Sequence, residues 1–187
     1  MRVKLVVGLG NPGADYQETR HNLGYRVVEA LAHQYRILLK ERTEKAVYGQ
    51  GSIKAVKVVL AKPLTFMNRS GAAVRDLCQS FQISPADLIV IHDDIDLDLG
   101  RLRIKTHGGH GGHNGLKSIL EILGEDRFVR IKLGVGRSKG EEAAEHVLSR
   151  FTSEERPVVD EMIGDAVAAA ELIVIDGIAQ AMNQFHN

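Results

Sequence analysis

Short apolar runs with strand character alternate along this chain with segments of helical periodicity, and this alternation limits the possible folds more than any other feature. Lys4–Val7 has the pattern of a buried strand and ends in the glycine-rich turn Gly8–Gly13. Leu88–Ile91 is a second apolar run and continues directly into acidic residues. Strands that alternate with helices are typical of a sheet covered on both faces. The sequence therefore predicts an α/β fold built on a mixed sheet.

The other elements follow from the same patterns. We expect helices in four places: about Asn22–Leu39, from near Ser70, after the loop Gly108–Gly115, and from the capping-box pattern Thr152–Glu155 onward as one long final helix. Further strands are predicted at Val47–Ile53, Ala55–Leu60, Leu102–Lys105 and Phe128–Val135. With 187 residues, the elements suit one compact domain that spans residues 1–187.

Composition excludes several classes of protein. Cys78 is the only cysteine, so an internal disulfide is impossible and a reducing cytoplasm is favoured. Its apolar helical surroundings indicate a core residue. No apolar run approaches the ~20 residues that cross a bilayer, and the first run is too short for a signal-peptide core. We therefore expect a cytoplasmic protein with no membrane association.

The zero net charge hides an uneven distribution of charge. Between Arg101 and Lys139, nine basic residues stand against three acidic ones, whereas residues 140–187 hold ten acids and two arginines. A local basic field can bind a polyanion on a neutral protein. Exposed lysines and arginines can equally do no more than solvate a surface, so charge alone leaves nucleic-acid binding open.

The first candidate motif, Gly8–Gly13, matches a dinucleotide-binding fingerprint as written. That fingerprint requires a helix to start at once, so that the helix N-terminus meets a pyrophosphate. Pro12 and the residues after it indicate a loop instead, and no nucleotide cofactor is expected. Flexible glycines explain the turn but not Asn11, whose amide is expected at the carboxyl end of the strand, where α/β sites usually form.

His21 and the acidic segment His92–Asp96 are a candidate base and its carboxylate partner. His21 lies just before a predicted helix, and a histidine can take a proton from water near neutral pH. The acidic segment supplies three carboxylates after a strand. Plainer interpretations exist, because Asn22 fits a helix N-cap and an acidic run after a strand is usually a solvated turn.

The segment Lys62–Gly71 carries side chains suited to substrate binding. Asn68 offers both a donor and an acceptor to an amide or hydroxyl. Met67 fits either a binding floor or, more commonly, core packing, and Ser70 fits an N-cap.

In the loop Gly108–Gly115, the many glycines allow the backbone to approach a bulky ligand closely, and Asn114 fits an N-cap. A metal site here would draw on three histidines and one acid: His107, His110, His113 and Asp93. This glycine-rich spacing does not fix ligand geometry, so a metal is not expected.

Taken together and in order, these segments resemble the bacterial-type peptidyl-tRNA hydrolase family over essentially the whole chain. The matching segments are Val7–Gly13 with Tyr16, Thr19–Asn22 with Gly24, Lys62–Gly71, His92–Leu97, Gly108–Ser118 and Gly134–Arg137. Asp94 is a departure, since some members carry Glu there, but the resemblance implies no catalytic role for this position. The resemblance implies a monomeric α/β fold with a twisted, mostly parallel mixed sheet and a cleft over the strand ends.

The resemblance also implies roles for individual residues. His21 is the general base that activates water, Asp93 orients its imidazole, and Asn11 holds the water or the ester carbonyl region. Asn68 and Asn114 hold the peptide backbone and the product carboxylate. The full set of implied substrate-binding residues is Tyr16, Met67, Asn68, His113 and Asn114. The implied contacts to tRNA phosphates are Arg103, Lys105, Lys117 and Lys132.

The implied reaction is hydrolysis of the ester between a peptide and the 3′ end of tRNA, which recycles tRNA released from stalled ribosomes. No cofactor, metal, membrane or protein partner is implied. Two other hypotheses stand beside it. One is a non-catalytic tRNA-binding module that uses the same basic face, and the other is a metal-dependent hydrolase that uses the loop histidines.

Overall fold

The computed structural model describes residues 2–137, 140 and 142–186. Its centre is a seven-stranded sheet. The strands are β1 Lys4–Gly8, β2 Glu41–Arg42, β3 Ala46–Ile53, β4 Val56–Pro63, β5 Leu88–Asp94, β6 Leu102–Lys105 and β7 Val129–Gly134. Their order in the sheet is β2-β3-β4-β1-β5-β7-β6. Within the described ranges, all predicted strands are present.

The centre of the sheet is parallel and its margins are antiparallel. β1 pairs in parallel with β4 and β5, and β5 pairs in parallel with β7. β3 and β6 run antiparallel to β4 and β7, and the short β2 is antiparallel to β3. The predicted mostly parallel mixed sheet is confirmed. The carboxyl ends of the four parallel strands consequently meet at one edge.

Helices cover both faces of the sheet and create two hydrophobic cores, as predicted. The helices are α1 Leu23–Gln34, α2 Ser70–Ser80, α3 Asn114–Leu123, α4 Ala143–Leu148, α5 Arg156–Ile175 and α6 Ile178–Phe185. The first core joins α1, α5 and α6 to the sheet, whereas the second joins α2 and α3 to its opposite face. Cys78 is buried in this second core, and burial raises the pKa of its thiol to about 11, which confirms its interpretation as a core residue.

Two helix predictions are wrong in extent. α1 ends at Gln34 and not near Leu39, because Arg36 turns into the left-handed region with φ of 53° and the chain leaves the helix axis. The single long final helix is two helices, α5 and α6, because Gly177 breaks it with φ of 93°. α4 was not predicted.

The predicted capping box before α5 is confirmed. The Thr152 N–H donates to a Glu155 carboxylate oxygen at 2.8 Å, and the Glu155 N–H donates to Thr152 Oγ1 at 3.3 Å. In the described part of the chain, no helix has the length and apolar character that crossing a bilayer would require.

Two glycines set the close approach of α1 to the end of β1. A Cβ at Gly8 would lie 2.0 Å from the Gly24 carbonyl oxygen, and a Cβ at Gly24 would lie 2.4 Å from the backbone oxygen of Ile91. Real Cβ atoms do not come this close to backbone, so only glycine fits both positions. The start of α1 is thereby held directly over the ends of β1 and β5.

We predict that Gly24→Ala lowers the free energy of unfolding by about 3 kcal/mol, because the backbone around the added methyl must shift. Urea denaturation measures this change. Gly164→Ala in α5 is the matched control, because a Cβ there meets nothing within 4 Å and alanine in a helix should add about 0.5–1 kcal/mol. Equal stability of the Gly24→Ala variant and wild type would contradict the packing argument.

Candidate active site

The functional residues gather where the parallel strands end. Asn11 follows β1, Met67 follows β4, and Asp93 is the penultimate residue of β5. The Asn11 side-chain oxygen accepts a hydrogen bond from the Met67 N–H at 2.8 Å. The two segments after β1 and β4 are therefore joined through the Asn11 amide, whose nitrogen has no hydrogen-bond partner among the described residues.

Asn22 holds Asn11 in place. Its side-chain oxygen accepts from the Asn11 N–H, and its amide nitrogen donates to the Asn11 carbonyl, both at 2.9 Å. This pair of bonds satisfies a buried stretch of backbone that no strand covers. Asn22 does occupy the predicted N-cap position of α1, but its side chain makes no capping bond.

His21 and Asp93 come together as predicted. His21 Nδ1 lies 2.9 Å from both carboxylate oxygens of Asp93. Because a carboxylate only accepts, Nδ1 carries the proton and Nε2 keeps its lone pair. His21 is 8% exposed and Asp93 is 2% exposed. The pair is thus a buried, oriented imidazole with an unprotonated nitrogen that makes no other hydrogen bond in the described residues.

Asp93 holds a second imidazole, that of His113. His113 Nε2 donates to Asp93 Oδ1 at 3.0 Å, while His113 Nδ1 accepts from the N–H groups of Gly115 and Leu116 at 3.1 and 3.3 Å. His113 is thus the N-cap of α3, and the interpretation of Asn114 as the N-cap is wrong. The partners of both nitrogens fix His113 as a neutral imidazole with its proton on Nε2.

The protonation equilibria agree with this geometry. Burial lowers the pKa of His21, but the charge and hydrogen bond of Asp93 outweigh it and raise that pKa above 6.5. Burial raises the pKa of Asp93, but electrostatic attraction from His21 and His113 and their hydrogen bonds bring it well below its usual range. Burial keeps the pKa of His92 far below 6.5. Asp93 is therefore an anion, and His92 is neutral.

A cleft of about 440 Å³ opens beside this cluster. His21 and Asp93 line it together with residues of the glycine-rich loop, of the sheet and of α4. α4 contributes three apolar side chains: Ala143, Ala144 and Val147. A ligand with both charged and apolar groups fits such a cleft.

The predicted substrate-binding residues differ in accessibility. Asn68 and Asn114 are exposed, and no hydrogen bond to either amide occurs within the described chain. Tyr16 is half-buried and lies outside the cleft lining. Met67 is 4% exposed and packs in the second core, so its side chain is core, and its N–H is what serves the site through Asn11.

Four cations share one face of β6 and β7. The register places Arg103 opposite Lys132 and Lys105 opposite Arg130, and the residues between them point into the first core. Arg103 and Lys105 are exposed. Lys132 is partly buried and forms an ion pair with Asp94 at 2.5 Å. Lys117 lies apart on α3 and pairs loosely with Glu121 at 4.0 Å.

The histidines of the glycine-rich loop do not form the metal site considered from sequence. Of the three histidines in that set, only His113 contacts Asp93. In the described structure, His113, Asp93 and His21 each offer one potential ligand atom, and these three atoms lie within 4.8 Å of one another. A metal-bound histidine normally donates from its other nitrogen, whereas His113 Nδ1 accepts from two backbone N–H groups. Metal binding at His113 Nε2 would therefore require an imidazolate. The ring is held by hydrogen bonds at both nitrogens instead.

Three buried residues around the site were not singled out from the sequence. Arg130 is 2% exposed, stacks on Phe128 and donates to the Gly109 carbonyl at 3.1 Å, which anchors the base of the glycine-rich loop. His92 donates to the Asp93 carbonyl at 2.7 Å and packs edge-on against His113. Arg20, next to His21, makes a network of hydrogen bonds to Ser149 and Glu155. In the sequence, the only signals for these residues were a cation within an apolar strand, for Arg130, and an arginine beside a candidate base, for Arg20.

Comparisons with known proteins agree on one family. A sequence model of the family described as "Peptidyl-tRNA hydrolase" matches residues 5–187. A peptidyl-tRNA hydrolase of Alkaliphilus metalliredigens is 47% identical over 182 residues, which cover 97% of this chain and 98% of that protein. One of Geobacillus thermodenitrificans is 45% identical over 98% of this chain and 100% of its own length.

The fold of this chain is also similar to that of a solved structure. The crystal structure of peptidyl-tRNA hydrolase from Acinetobacter baumannii superposes with a TM-score of 0.93 at 40% identity, and the alignment covers 98% of this chain and 94% of that one. The shared architecture therefore extends over nearly the whole chain.

We predict that a histidine-resolved NMR titration gives a midpoint above 6.5 for His21. Asp93→Asn removes the carboxylate charge and leaves burial as the main influence, so the midpoint should fall below 6.5. A reaction that needs neutral His21 consequently declines on the acid side at a higher pH than a free histidine would dictate. Asp96→Asn is the control; an identical midpoint in the Asp93→Asn variant and wild type would refute the assigned cause.

Proposed function

The chain belongs to the peptidyl-tRNA hydrolase family and hydrolyses peptidyl-tRNA, and from this premise we propose which of its residues carry out the reaction. The observation that supports the proposal most strongly is the buried His21–Asp93 pair in the lining of the cleft. An oriented imidazole with one unprotonated nitrogen is what a general base requires.

In the first step, His21 Nε2 takes a proton from a water molecule as the water oxygen attacks the ester carbonyl carbon. The carbonyl oxygen becomes an oxyanion, and His21 becomes an imidazolium. Asp93 accepts the Nδ1–H bond throughout, so the added positive charge forms beside a fixed negative one. Asp93 thereby stabilises the transition state without itself being protonated.

In the second step, the tetrahedral intermediate collapses and the bond to the ribose 3′ oxygen breaks. The imidazolium returns its proton to that oxygen, which leaves as the 3′ hydroxyl of tRNA. The peptide is released as a free carboxylic acid, which loses its proton to solvent and becomes a carboxylate. One water is consumed and His21 ends in its starting form, so no metal or cofactor is needed to balance the reaction.

We assign stabilisation of the oxyanion to Asn11. Its side-chain oxygen already accepts from Met67, so the amide nitrogen is the group left to face a ligand, and a donor suits an oxyanion or the oxygen of a bound water. The two bonds from Asn22 fix the backbone beneath it. Donors held in place before the reaction lose no free energy to reorganisation.

Recognition of the peptide falls to two exposed amides, of which that of Asn114 lines the cleft. Asn68 and Asn114 are accessible and can each bind one peptide group as donor and acceptor. Contacts to backbone amides are the same for every peptide, as recycling of many sequences demands. His113 lines the cleft as a neutral ring. Tyr16 remains a predicted contact on the side of Asn11.

Recognition of tRNA falls to the cations of β6 and β7. Arg103 and Lys105 are exposed, which suits contact with phosphates. Lys132 is partly neutralised by Asp94, so we expect a smaller contribution from it. Lys117 is exposed on α3 and completes the proposed set. Such contacts recognise charge and shape more than base sequence.

We also propose that the enzyme acts as a monomer in the cytoplasm, as one domain spanning residues 1–187 and without a protein partner. In support, every residue given a catalytic role lies in a single copy of the chain. The alternative of a non-catalytic tRNA-binding module gives no reason for a buried His21–Asp93 pair.

The direct test compares release of an N-acetylated aminoacyl group from tRNA with release of the unblocked aminoacyl group, with EDTA present throughout. We expect fast cleavage of the blocked ester only. Loss of activity in EDTA that added metal restores would favour the metal-dependent hydrolase. Binding of tRNA with cleavage of neither ester would favour the binding module.

We predict that His21→Ala lowers kcat by about 10²–10⁴-fold, because the general base is removed. Circular dichroism and thermal unfolding establish that the fold persists. His33→Ala replaces an exposed histidine of α1 and should retain the wild-type rate. A wild-type kcat in the His21→Ala variant would refute the mechanism.

We predict that Lys105→Ala weakens binding of deacylated tRNA and reduces the slope of log K against log salt by about 1. Lys57→Ala is the matched control, because Lys57 is an exposed lysine near the start of β4, away from the cleft. Unchanged affinity and slope in the Lys105→Ala variant would remove Lys105 from the tRNA contact.

A further inference from the structure

Arg20 immediately precedes His21, is 5% exposed, and is not among the residues that line the cleft. Its Nη1 and Nη2 donate to the two carboxylate oxygens of Glu155 at 3.1 and 2.8 Å. Its Nε donates to Ser149 Oγ at 3.0 Å, and Nη2 also reaches the Arg150 carbonyl at 3.4 Å. The guanidinium carbon lies 4.6 Å from the centre of the Phe151 ring. One side chain thus contacts four of the seven residues 149–155.

The backbone reinforces this connection. The Arg20 N–H donates to the Ser149 carbonyl at 3.0 Å, and Thr19 forms an antiparallel bridge with Arg150. Ser149 Oγ in turn donates to the His146 carbonyl at 2.6 Å. The hydrogen bonds therefore run from the residue beside His21 into the last turn of α4.

α4 is the apolar wall of the cleft, through Ala143, Ala144 and Val147. It has only six residues, Ala143–Leu148, and a helix this short depends on tertiary contacts for its position. Arg20 and its backbone supply such contacts at the C-terminal end of α4.

We propose that Arg20 is a positioning residue that fixes the α4 wall of the cleft relative to His21 and thereby sets substrate affinity. The proposal rests on the hydrolase mechanism above. The two-pronged bond to Glu155 requires the planar fork of arginine, and lysine would keep the charge but lose the fork. His21 keeps its own orientation from Asp93, so the base remains intact when Arg20 is changed.

This role makes a different kinetic prediction from a general contribution to stability. A variant that only unfolds more readily contains less active enzyme, so its apparent kcat falls and KM stays constant. A variant whose cleft wall is misplaced binds substrate less well, so KM rises. A variant that perturbed His21 would move the pH midpoint of the rate.

The experiment measures kcat, KM and the pH–rate profile of wild type, Arg20→Lys and Glu155→Gln on N-acetylaminoacyl-tRNA. We expect KM to rise about tenfold in both variants, with kcat within about threefold and the acid midpoint unchanged. The double variant should resemble either single one, because both remove the same contact. If Arg20→Lys does not fold, Glu155→Gln carries the test, since glutamine keeps one acceptor oxygen.

Arg26→Lys is the matched control, because Arg26 forms an exposed ion pair with Asp160 at 3.2 Å away from the cleft. Hydrogen exchange of residues 143–148 gives a readout that does not depend on activity; we expect it to accelerate in the Arg20 and Glu155 variants only. Unchanged KM and unchanged exchange in these variants would overturn the proposal. Failure of wild type to cleave the ester would instead overturn the proposed mechanism, and the exchange result would still decide the role of Arg20.

Discussion

The site depends on one buried carboxylate. Asp93 is at the end of a central strand and binds imidazoles from two distant segments, one at the start of α1 and one at the start of α3. A buried anion without partners would be very costly, so the segments that carry His21 and His113 must both dock for the fold to accommodate it. The same requirement fixes which nitrogen of each ring bears a proton. Catalytic orientation and local folding are therefore consequences of a single electrostatic constraint.

Much of this arrangement was predictable from sequence because it depends on local patterns. Apolar runs located the strands, and polar residues directly after them located Asn11 and Asp93 at one edge of the sheet. Parallel strands bring their carboxyl ends together whatever lies between them. Residue types made the acidic segment a candidate partner for His21, but the choice of Asp93 came from the family resemblance, since residues 72 positions apart have no spacing rule that joins them.

The errors about side chains concern polar residues at the predicted helix starts. Asn22, Ser70 and Asn114 all have the residue type of an N-cap. Asn22 occupies that position but its side chain binds Asn11. Ser70 is the first residue of α2 and donates to the Met67 carbonyl, and Asn114 is the first residue of α3, which His113 caps. Capping preferences describe what a residue does when nothing else competes for its polar atoms. Near the site, buried backbone competes more strongly. Arg20 and Arg130 were missed for another reason: their partners Glu155 and Gly109 are remote in sequence.

The basic face of β6 and β7 has a further consequence, which concerns neighbouring molecules. β6 is the outermost strand of the sheet, and an outermost strand is a template on which another chain can add a strand of its own. Arg103 and Lys105 would bring like charges together in such an encounter, and the Ile104 N–H is already bonded to His186 Nε2 at 2.8 Å. The surface that we propose for tRNA binding therefore also discourages edge-to-edge aggregation, and we expect a substitution that neutralises it to weaken solubility as well.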